Sequence, residues 1–447
     1  MDVSDGLPTP RRYWAVAAIL STIGMTVLDG SITNVALPTI ARELDVVPAT
    51  SIWIVNAYQL AIVVSLLPFA SLGENLGYRR VFIAGLTVFT VASAACALST
   101  SFWPLLIART VQGFGGAAAM SMFGGLVRLT YPNTQLGRGI GYNAITVATC
   151  STIGPTLSSF LLSFSPWPIL FAVNVPIGLA AIWMAVRALP QNEPARRPLD
   201  WTSAVMNAVT LGLLVVSLNY FGKTPVLSTA GLAIAAIAGV MLYRRESGRP
   251  APLVPLDLLR TRAFVMPVIG STCYFGAQAM ALVSLPFYLQ HTMHLTQVQT
   301  GFFVTPWAMG TVAAAMVAGR LADRFPTQIL SSIGAVLIGT ALILLAALPA
   351  TNLLIGVMVL GGVGAGLFQT PNNRALLMAA PRSRSGSAGG MQSISRQLGM
   401  TVGTALVALI LSVAPNSGTM FCLLTGAGFA AVALFVSFVR GRPSTQI

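Results

Sequence analysis

Hydrophobic residues run along this chain in long blocks separated by short polar stretches. Apolar blocks of about 20 residues, the length that spans a bilayer as a helix, fall at 13–38, 51–72, 81–98, 103–126, 139–164, 169–189, 201–221 and 227–243. They continue at 264–290, 301–319, 329–348, 353–376, 386–411 and 419–439. The pattern predicts an all-α polytopic membrane protein with fourteen transmembrane helices. The two longest polar segments, 190–200 and 244–262, flank the seventh and eighth blocks. They divide the chain into a tail (1–12), a six-helix bundle (13–189), an inserted helix pair with its linkers (190–262), a second six-helix bundle (263–439) and a tail (440–447).

An internal repeat supports that division. A shift of 249 residues, the separation of Glu74 and Asp323, lays ASLGENLG (70–77) on GRLADRFP (319–326) and GFGGA (113–117) on GVGAG (362–366). One offset that satisfies both pairs implies two related halves, with a cavity expected at their interface near the bilayer midplane.

Charge then sets the orientation. With the N-terminus placed in the cytoplasm, outer loops hold only Arg42 and Lys223 among the basic residues. Arg11, Arg12, Arg79, Arg80, Arg128, Arg138 and the later loop arginines all fall inside. That bias predicts both termini in the cytoplasm. Only 8% of the 447 residues are charged and 55% are hydrophobic, against about 25% charged in a soluble domain. The net charge of +14 is spread over short loops, so it argues for topology and against a nucleic-acid partner. Cys96, Cys150, Cys273 and Cys422 all lie in apolar blocks, which excludes a disulfide framework or a zinc-ligand spacing. His291 and His294 lack a third ligand and read as interfacial, so no metal site is expected. The first block is long enough to span, and no cleavable signal peptide is expected ahead of it.

The candidate chemistry sits in the first block. Asp29 is its only carboxylate, and a charge at bilayer depth costs about 2.5 to 3.5 kcal/mol. Thr22, Thr26, Asp29 and Thr33 share one helical face, which reads as a polar stripe turned to the interior. The fourth block holds ARTVQGFGGAAAM (108–120), in which Arg109, Gln112, Gly113 and Gly116 share a face. Arg109 cannot readily deprotonate, so it needs an anion. Asp29 lies nine residues inside Pro38 and Arg109 six inside Trp103, about 13 and 9 Å below the outer ends of their helices. That similar depth predicts a pair. Asp29 as a structural pin between two helices is the bland alternative. The repeat places Gln278 and Met358 at the equivalent positions, so proton chemistry is expected in the N-terminal half alone.

Three further features suggest gating. The loop GRLADR (319–324) offers Asp323 and Arg324 as a charge-paired latch, or simply topology-setting charge in a tight turn. Its counterpart has Glu74, Gly77, Arg79 and Arg80, with Asn75 in place of an arginine. The fifth block holds ATCSTIGPTLSS (148–159), where Gly154 and Pro155 predict a kinked, small-residue seam that suits a hinge, a seal between halves or plain close packing.

Together these residues resemble the major facilitator superfamily, and within it the fourteen-helix drug:proton antiporters of multidrug efflux. LDGSITNVALP (28–38), ARTVQGFGGA (108–117), STIGPTLSS (151–159), NVPIG (174–178) and SRQLG (395–399) carry the resemblance. It departs at the degraded loop around Glu74, at Cys150, and at Ser158 and Ser159, which stand where the family has glycines. The resemblance implies proton-driven export by alternating access from the bacterial cytoplasmic (inner) membrane, by a monomer that needs no cofactor beyond the proton gradient. Asp29 would bind a proton or a cationic substrate, with Arg109 stabilising its deprotonated form. Asn34, Asn56, Tyr58, Gln59, Gln112, Asn143, Tyr274, Gln278, Gln369 and Asn373 are candidates to line the cavity, and each also suits an ordinary interhelical hydrogen bond. Arg396 suits a contact with backbone carbonyls or with an anionic substrate group.

One midplane acid favours monovalent lipophilic cations or neutral amphiphiles. A dedicated exporter of one natural metabolite and a non-transporting scaffold or sensor are the alternatives. No nucleophile–base set, metal cluster or P-loop points to an enzyme.

Overall fold

A computed structural model describes residues 6–192, 200–221, 224–249, 252–287, 289, 293, 297–347, 353–414 and 417–440. His291 and His294 lie outside the described residues. Among the described residues the chain is helical and holds no strand. The helices are α1 (Thr9–Glu43), α2 (Pro48–Leu76), α3 (Tyr78–Ala97), α4 (Phe102–Ser121), α5 (Phe123–Thr130), α6 (Leu136–Leu162), α7 (Ile169–Ala172), α8 (Asn174–Ala188) and α9 (Trp201–Tyr220). The rest are α10 (Pro225–Glu246), α11 (Leu256–Leu259), α12 (Arg262–Phe287), α13 (Gln297–Ala322), α14 (Thr327–Ala347), α15 (Leu354–Ala379), α16 (Ser385–Val413) and α17 (Gly418–Arg440).

Local chemistry sets several boundaries. Proline opens α2 and α10 in the first turn, where its missing N–H costs nothing. Between α2 and α3 the chain turns at Gly77, with φ of +102°, a conformation that a side chain would strain.

Among the described residues, twelve helices are long and apolar enough to cross a membrane. A thirteenth follows if Asn133–Ser151 and Thr156–Leu162, which meet at 45°, form one bent span. The remaining predicted block, 103–126, corresponds to α4, whose apolar character is diluted by Arg109, Gln112 and three glycines. The bend falls where the sequence places Gly154 and Pro155; the Pro155 side chain lies outside the described residues.

The chain forms two compact units. The first comprises Met1–Leu136, Thr146–Ala208 and Pro381–Gly390; the second comprises Gly137–Ile145, Val209–Ala380 and Met391–Ile447. In the first, Ile32, Ile40, Ile54, Leu105, Trp167 and Phe171 form a buried core. In the second the core is built on Tyr274, Trp307, Ile338, Leu342, Phe368 and Leu423. The Asn207 amide of α9 donates to the Val64 carbonyl of α2 at 3.1 Å.

The repeat reappears as helix crossings. A Cβ on Gly115 would sit 2.5 Å from Phe89 N and 2.8 Å from Gly85 O, so α3 and α4 touch backbone to backbone. In the second unit a Cβ on Gly364 would sit 2.8 Å from both Ile338 N and Gly334 O. Gly85, Phe89 and Gly115 shifted by 249 residues are Gly334, Ile338 and Gly364. The same shift carries Gly113, which rests on the Tyr58 carbonyl, to Gly362, which rests on that of Trp307. We expect Gly115→Leu to lower stability by about 1 to 3 kcal/mol through overpacking. Gly428→Ala, whose Cβ would meet nothing within 4 Å, should leave it unchanged. The melting temperature of each detergent-purified variant is the measurement.

Candidate functional site

Within the first unit, Asp29 of α1 and Arg109 of α4 form a fully buried ion pair, Nη1 to Oδ2 at 2.5 Å. Both sit within the body of their helices, and neighbouring side chains and one carbonyl complete the set. Gln112, one turn beyond Arg109, donates from Nε2 to Asp29 Oδ1 at 2.9 Å and to Ser93 Oγ at 2.8 Å. Asn174, the first residue of α8, donates to the same Oδ1 at 2.8 Å. Arg109 also donates to Gln112 Oε1 at 2.6 Å and to the Ile54 carbonyl at 3.3 Å. Its Cζ lies 4.1 Å from the Tyr58 ring centroid and 5.3 Å from that of Phe171. Tyr58 in turn donates to the Thr26 carbonyl at 3.1 Å.

Burying two charges is costly unless both are paired and hydrogen-bonded. Here the carboxylate has one cation and two amide donors. The guanidinium has an anion, two oxygen acceptors and two aromatic faces, each worth about 0.5 to 2 kcal/mol. Arg109 Nη2 finds no hydrogen-bond partner among the described residues, so the guanidinium keeps a spare donor. The arrangement can hold Asp29 ionised, and it can hold Arg109 if Asp29 loses its charge.

The threonine stripe is buried, turned to the protein interior as its spacing predicts. The hydroxyls of Thr22, Thr26 and Thr33 donate to the carbonyls of Ala18, Thr22 and Asp29, each at 2.8 Å. They satisfy themselves on their own helix, and Asp29 is the only member of the stripe whose side chain reaches across.

At the positions equivalent to Arg109 and Gln112 the second unit is apolar. Arg109 corresponds to Met358 and Gln112 to Gly361, and the Trp307 ring, equivalent to Tyr58, fills the space: a Cβ on Gly361 would sit 2.4 Å from it. Trp307 Nε1 and the Tyr274 hydroxyl are buried and without a partner among the described residues.

The other expected cavity residues are dispersed. Asn34 is exposed and its amide donates to the Gly30 carbonyl at 3.0 Å. Asn56, Gln59 and Gln278 are half-buried, and Asn143, Gln369 and Asn373 are buried. Tyr58 and Gln112 belong to the Asp29 cluster. Tyr274 stacks on Phe368 with ring centroids 5.0 Å apart.

The two predicted loops are built alike. In the first unit Glu74 Oε1 accepts from Ser387 N and Oγ, both at 2.7 Å, and Oε2 lies 3.6 Å from Arg384 Nη1. In the second, Asp323 Oδ1 accepts from Gly137 N at 2.9 Å and lies 3.5 Å from Arg374 Nη2. Each acid therefore caps the N-terminus of a long helix, α16 or α6, and each has an arginine. Burial pushes the Asp323 carboxyl up; the Gly137 amide, Arg374 and Arg138 pull it back. Glu74 does this work despite the lost Asp–Arg pattern. Arg79 donates to the Val186 carbonyl, while Arg80 and Arg324 are exposed and Arg396 is half-buried on α16. Gly154 packs against Ser31 of α1, and Ser158 donates to the Ile32 carbonyl at 3.0 Å. That part of the seam ties α6 to α1 within one unit.

The Major Facilitator Superfamily description matches residues 19–404 and 268–446, nearly the whole chain. The chain belongs to the major facilitator superfamily. It is 47% identical over 444 residues to the uncharacterized transporter YebQ of Escherichia coli, covering 98% of this chain and 97% of that one. It is 29% identical to the multidrug resistance protein Stp of Mycobacterium tuberculosis, covering 87% and 74%. Among solved structures, the human organic anion transporter MFSD10 matches with a TM-score of 0.72 at 15% identity, over 96% of this chain and 100% of that one. As a member of this superfamily the chain is a multi-pass integral membrane transporter, not an enzyme, and it takes a small-molecule substrate.

Set within that superfamily fold, the sequence reading brought Asp29 and Arg109 together but missed Asn174, Ser93 and Phe171. Asn174 was visible as the head of NVPIG, a polar residue in an apolar block at the start of a helix. Ser93 and Phe171 gave no signal, because one is small and the other belongs to the apolar pattern.

Proposed function

We propose that this chain is a proton-coupled antiporter that exports small amphipathic or monovalent cationic compounds by alternating access. The observation that carries the proposal is the buried Asp29–Arg109 pair with its two amide donors and two aromatic faces. Ionised, Asp29 matches Arg109. Protonated, it releases the guanidinium, which keeps Gln112, the Ile54 carbonyl, Tyr58 and Phe171. Two arrangements of one cluster, distinguished by a proton, are what a coupled cycle needs; only differential affinity for the two states can drive it.

In this reading Glu74 and Asp323 act as latches that must release their helix N-termini during the cycle. The half-buried amides of Asn56, Gln59 and Gln278 serve substrate binding. The chain has fourteen spans once α4 is counted, arranged as bundles 13–189 and 263–439 with the pair at 190–262 inserted. Both termini lie in the cytoplasm, the membrane is the bacterial cytoplasmic one, and the protein works as a monomer with the proton gradient as its only cofactor. Similarity to a multidrug resistance protein supports a broad substrate range.

The test is a panel of quaternary ammonium dyes and neutral amphiphiles in a hypersusceptible host, with and without a proton uncoupler. We expect several unrelated compounds to be extruded, each only while the gradient stands. Extrusion that survives the uncoupler would sink the coupling, and extrusion of one compound alone would sink the breadth.

A further inference from the structure

The second unit carries a groove that the Asp29 cluster does not use. The first turns of α6 and the last turns of α13 cross closely: a Cβ on Gly137 would sit 2.6 Å from the Gly319 carbonyl oxygen, and one on Gly141 3.0 Å from that of Ala315. Beside this crossing lies an open cavity of about 280 Å³. Arg138 and Arg320 line it, together with Tyr142, Ile145, Ala315 and Met316. Both arginines are exposed, and neither guanidinium makes a hydrogen bond or ion pair among the described residues. Arg138 meets Asp323 through its backbone amide, which donates to the carboxylate, and through its more distant charge. Tyr142 and Met316 are about half exposed, at 46% and 48%.

The lining is polar at one end and apolar along its length. Arg138 and Arg320 stand at the end of α6 and α13 where the loop arginines gather. From there the wall runs seven residues along α6 to Ile145 and five along α13 to Ala315, about 10 and 8 Å toward the middle of the spans. Two guanidiniums with spare donors suit a phosphate diester. Small and apolar walls suit an acyl chain. Basic pockets between membrane helices at this depth hold anionic headgroups. The charge is specific to this crossing. The repeat gives the same backbone contact at Gly386 and Ala70, yet the positions equivalent to Arg138 and Arg320 there are Ser387 and Ser71.

We propose that this groove binds a phospholipid with an anionic headgroup from the surrounding leaflet. Its phosphate lies between Arg138 and Arg320, and an acyl chain runs along Ile145 and Met316. The proposal does not depend on the proton-coupled reading. A lipid seated there lies against the two residues whose backbone forms the crossing, next to the amide that caps Asp323, so it would stiffen that junction.

Native mass spectrometry of the delipidated full-length protein, titrated separately with phosphatidylglycerol and phosphatidylcholine, tests it. The first phosphatidylglycerol adduct should form at concentrations about tenfold lower than the first phosphatidylcholine adduct. R138Q/R320Q should erase that preference, and R138K/R320K should keep it, which separates lost charge from a lost fold. The Asp323 contact uses the backbone of Gly137 and survives either change. Equal binding of the two lipids, a preference that persists in R138Q/R320Q, or displacement of phosphatidylglycerol by glycerol phosphate at equal concentration would each overturn the proposal; the last would make the groove a bare anion site.

Discussion

Asp29→Asn is expected to abolish proton-driven export, bringing substrate efflux down to the level of uncoupler-treated membranes while the protein still folds. Asparagine keeps the shape of aspartate and its oxygen still accepts from Asn174 or Gln112. What it removes is a site that can gain and lose a proton. Arg109 then lacks its anion but retains the Ile54 carbonyl, Gln112 and two ring faces, the environment that the protonated state of the native protein would provide. Proton flux in inverted vesicles, read beside substrate binding to the purified variant, separates coupling from recognition. Unchanged uphill transport in Asp29→Asn would end the assignment and leave the pair as a pin between α1 and α4.

The second large effect is on stability, and it distinguishes the two partners. Arg109→Gln leaves a carboxylate buried in the first unit with amide donors and no countercharge. Breaking a buried pair from one side costs about 3 to 5 kcal/mol, so this variant should melt well below the native protein. Asp29→Asn/Arg109→Gln should recover most of that loss, since no unpaired charge remains. Thermal melting of the four proteins in one detergent gives the coupling energy directly. Strict additivity of the two single changes would mean that the pair contributes nothing jointly. An Arg109→Gln protein as stable as the native one would mean that Asp29 is already neutral there.

The two predictions rest on a pair that the sequence exposes through depth alone. Asp29 and Arg109 are single charges in apolar blocks at similar distances from the helix ends, and a bilayer leaves few ways to accommodate them. The helix blocks are legible for the same reason, since the apolar length of a span is a strong constraint. The repeat was legible in two short motifs, and the structure extends it to the glycine crossings at Gly115 and Gly364.

What the sequence obscures is lateral. Periodicity says which residues share a face but not which helix that face meets. Gln112 and Tyr58 were therefore expected among cavity residues, whereas both close around Arg109. The threonine stripe does face the protein interior, but periodicity does not show that each hydroxyl satisfies itself on the preceding turn of its own helix. Glu74 looked like a decayed motif, yet one extra methylene still delivers its carboxylate to the Ser387 amide. The bundle's α4 shows the converse. Its arginine, glutamine and glycines are buried against other helices and lower its apparent hydrophobicity, while Trp103, Ile107, Val111 and Phe114 form an exposed apolar face.

The glutamine at Gln278, where the repeat places the counterpart of Asp29, reaches further than the packing changes at Met358 and Gly361. It leaves Asp29 as the one acid in the middle of a span among the described residues. If Asp29 alone carries the proton in the proposed cycle, one proton moves per turnover. Exchange against a monovalent cation is then electrically silent and draws on the pH difference alone. Exchange against an uncharged compound carries one net charge, and gains about 2.3 kcal/mol per 100 mV. The voltage dependence of efflux should therefore follow the valence of the cargo.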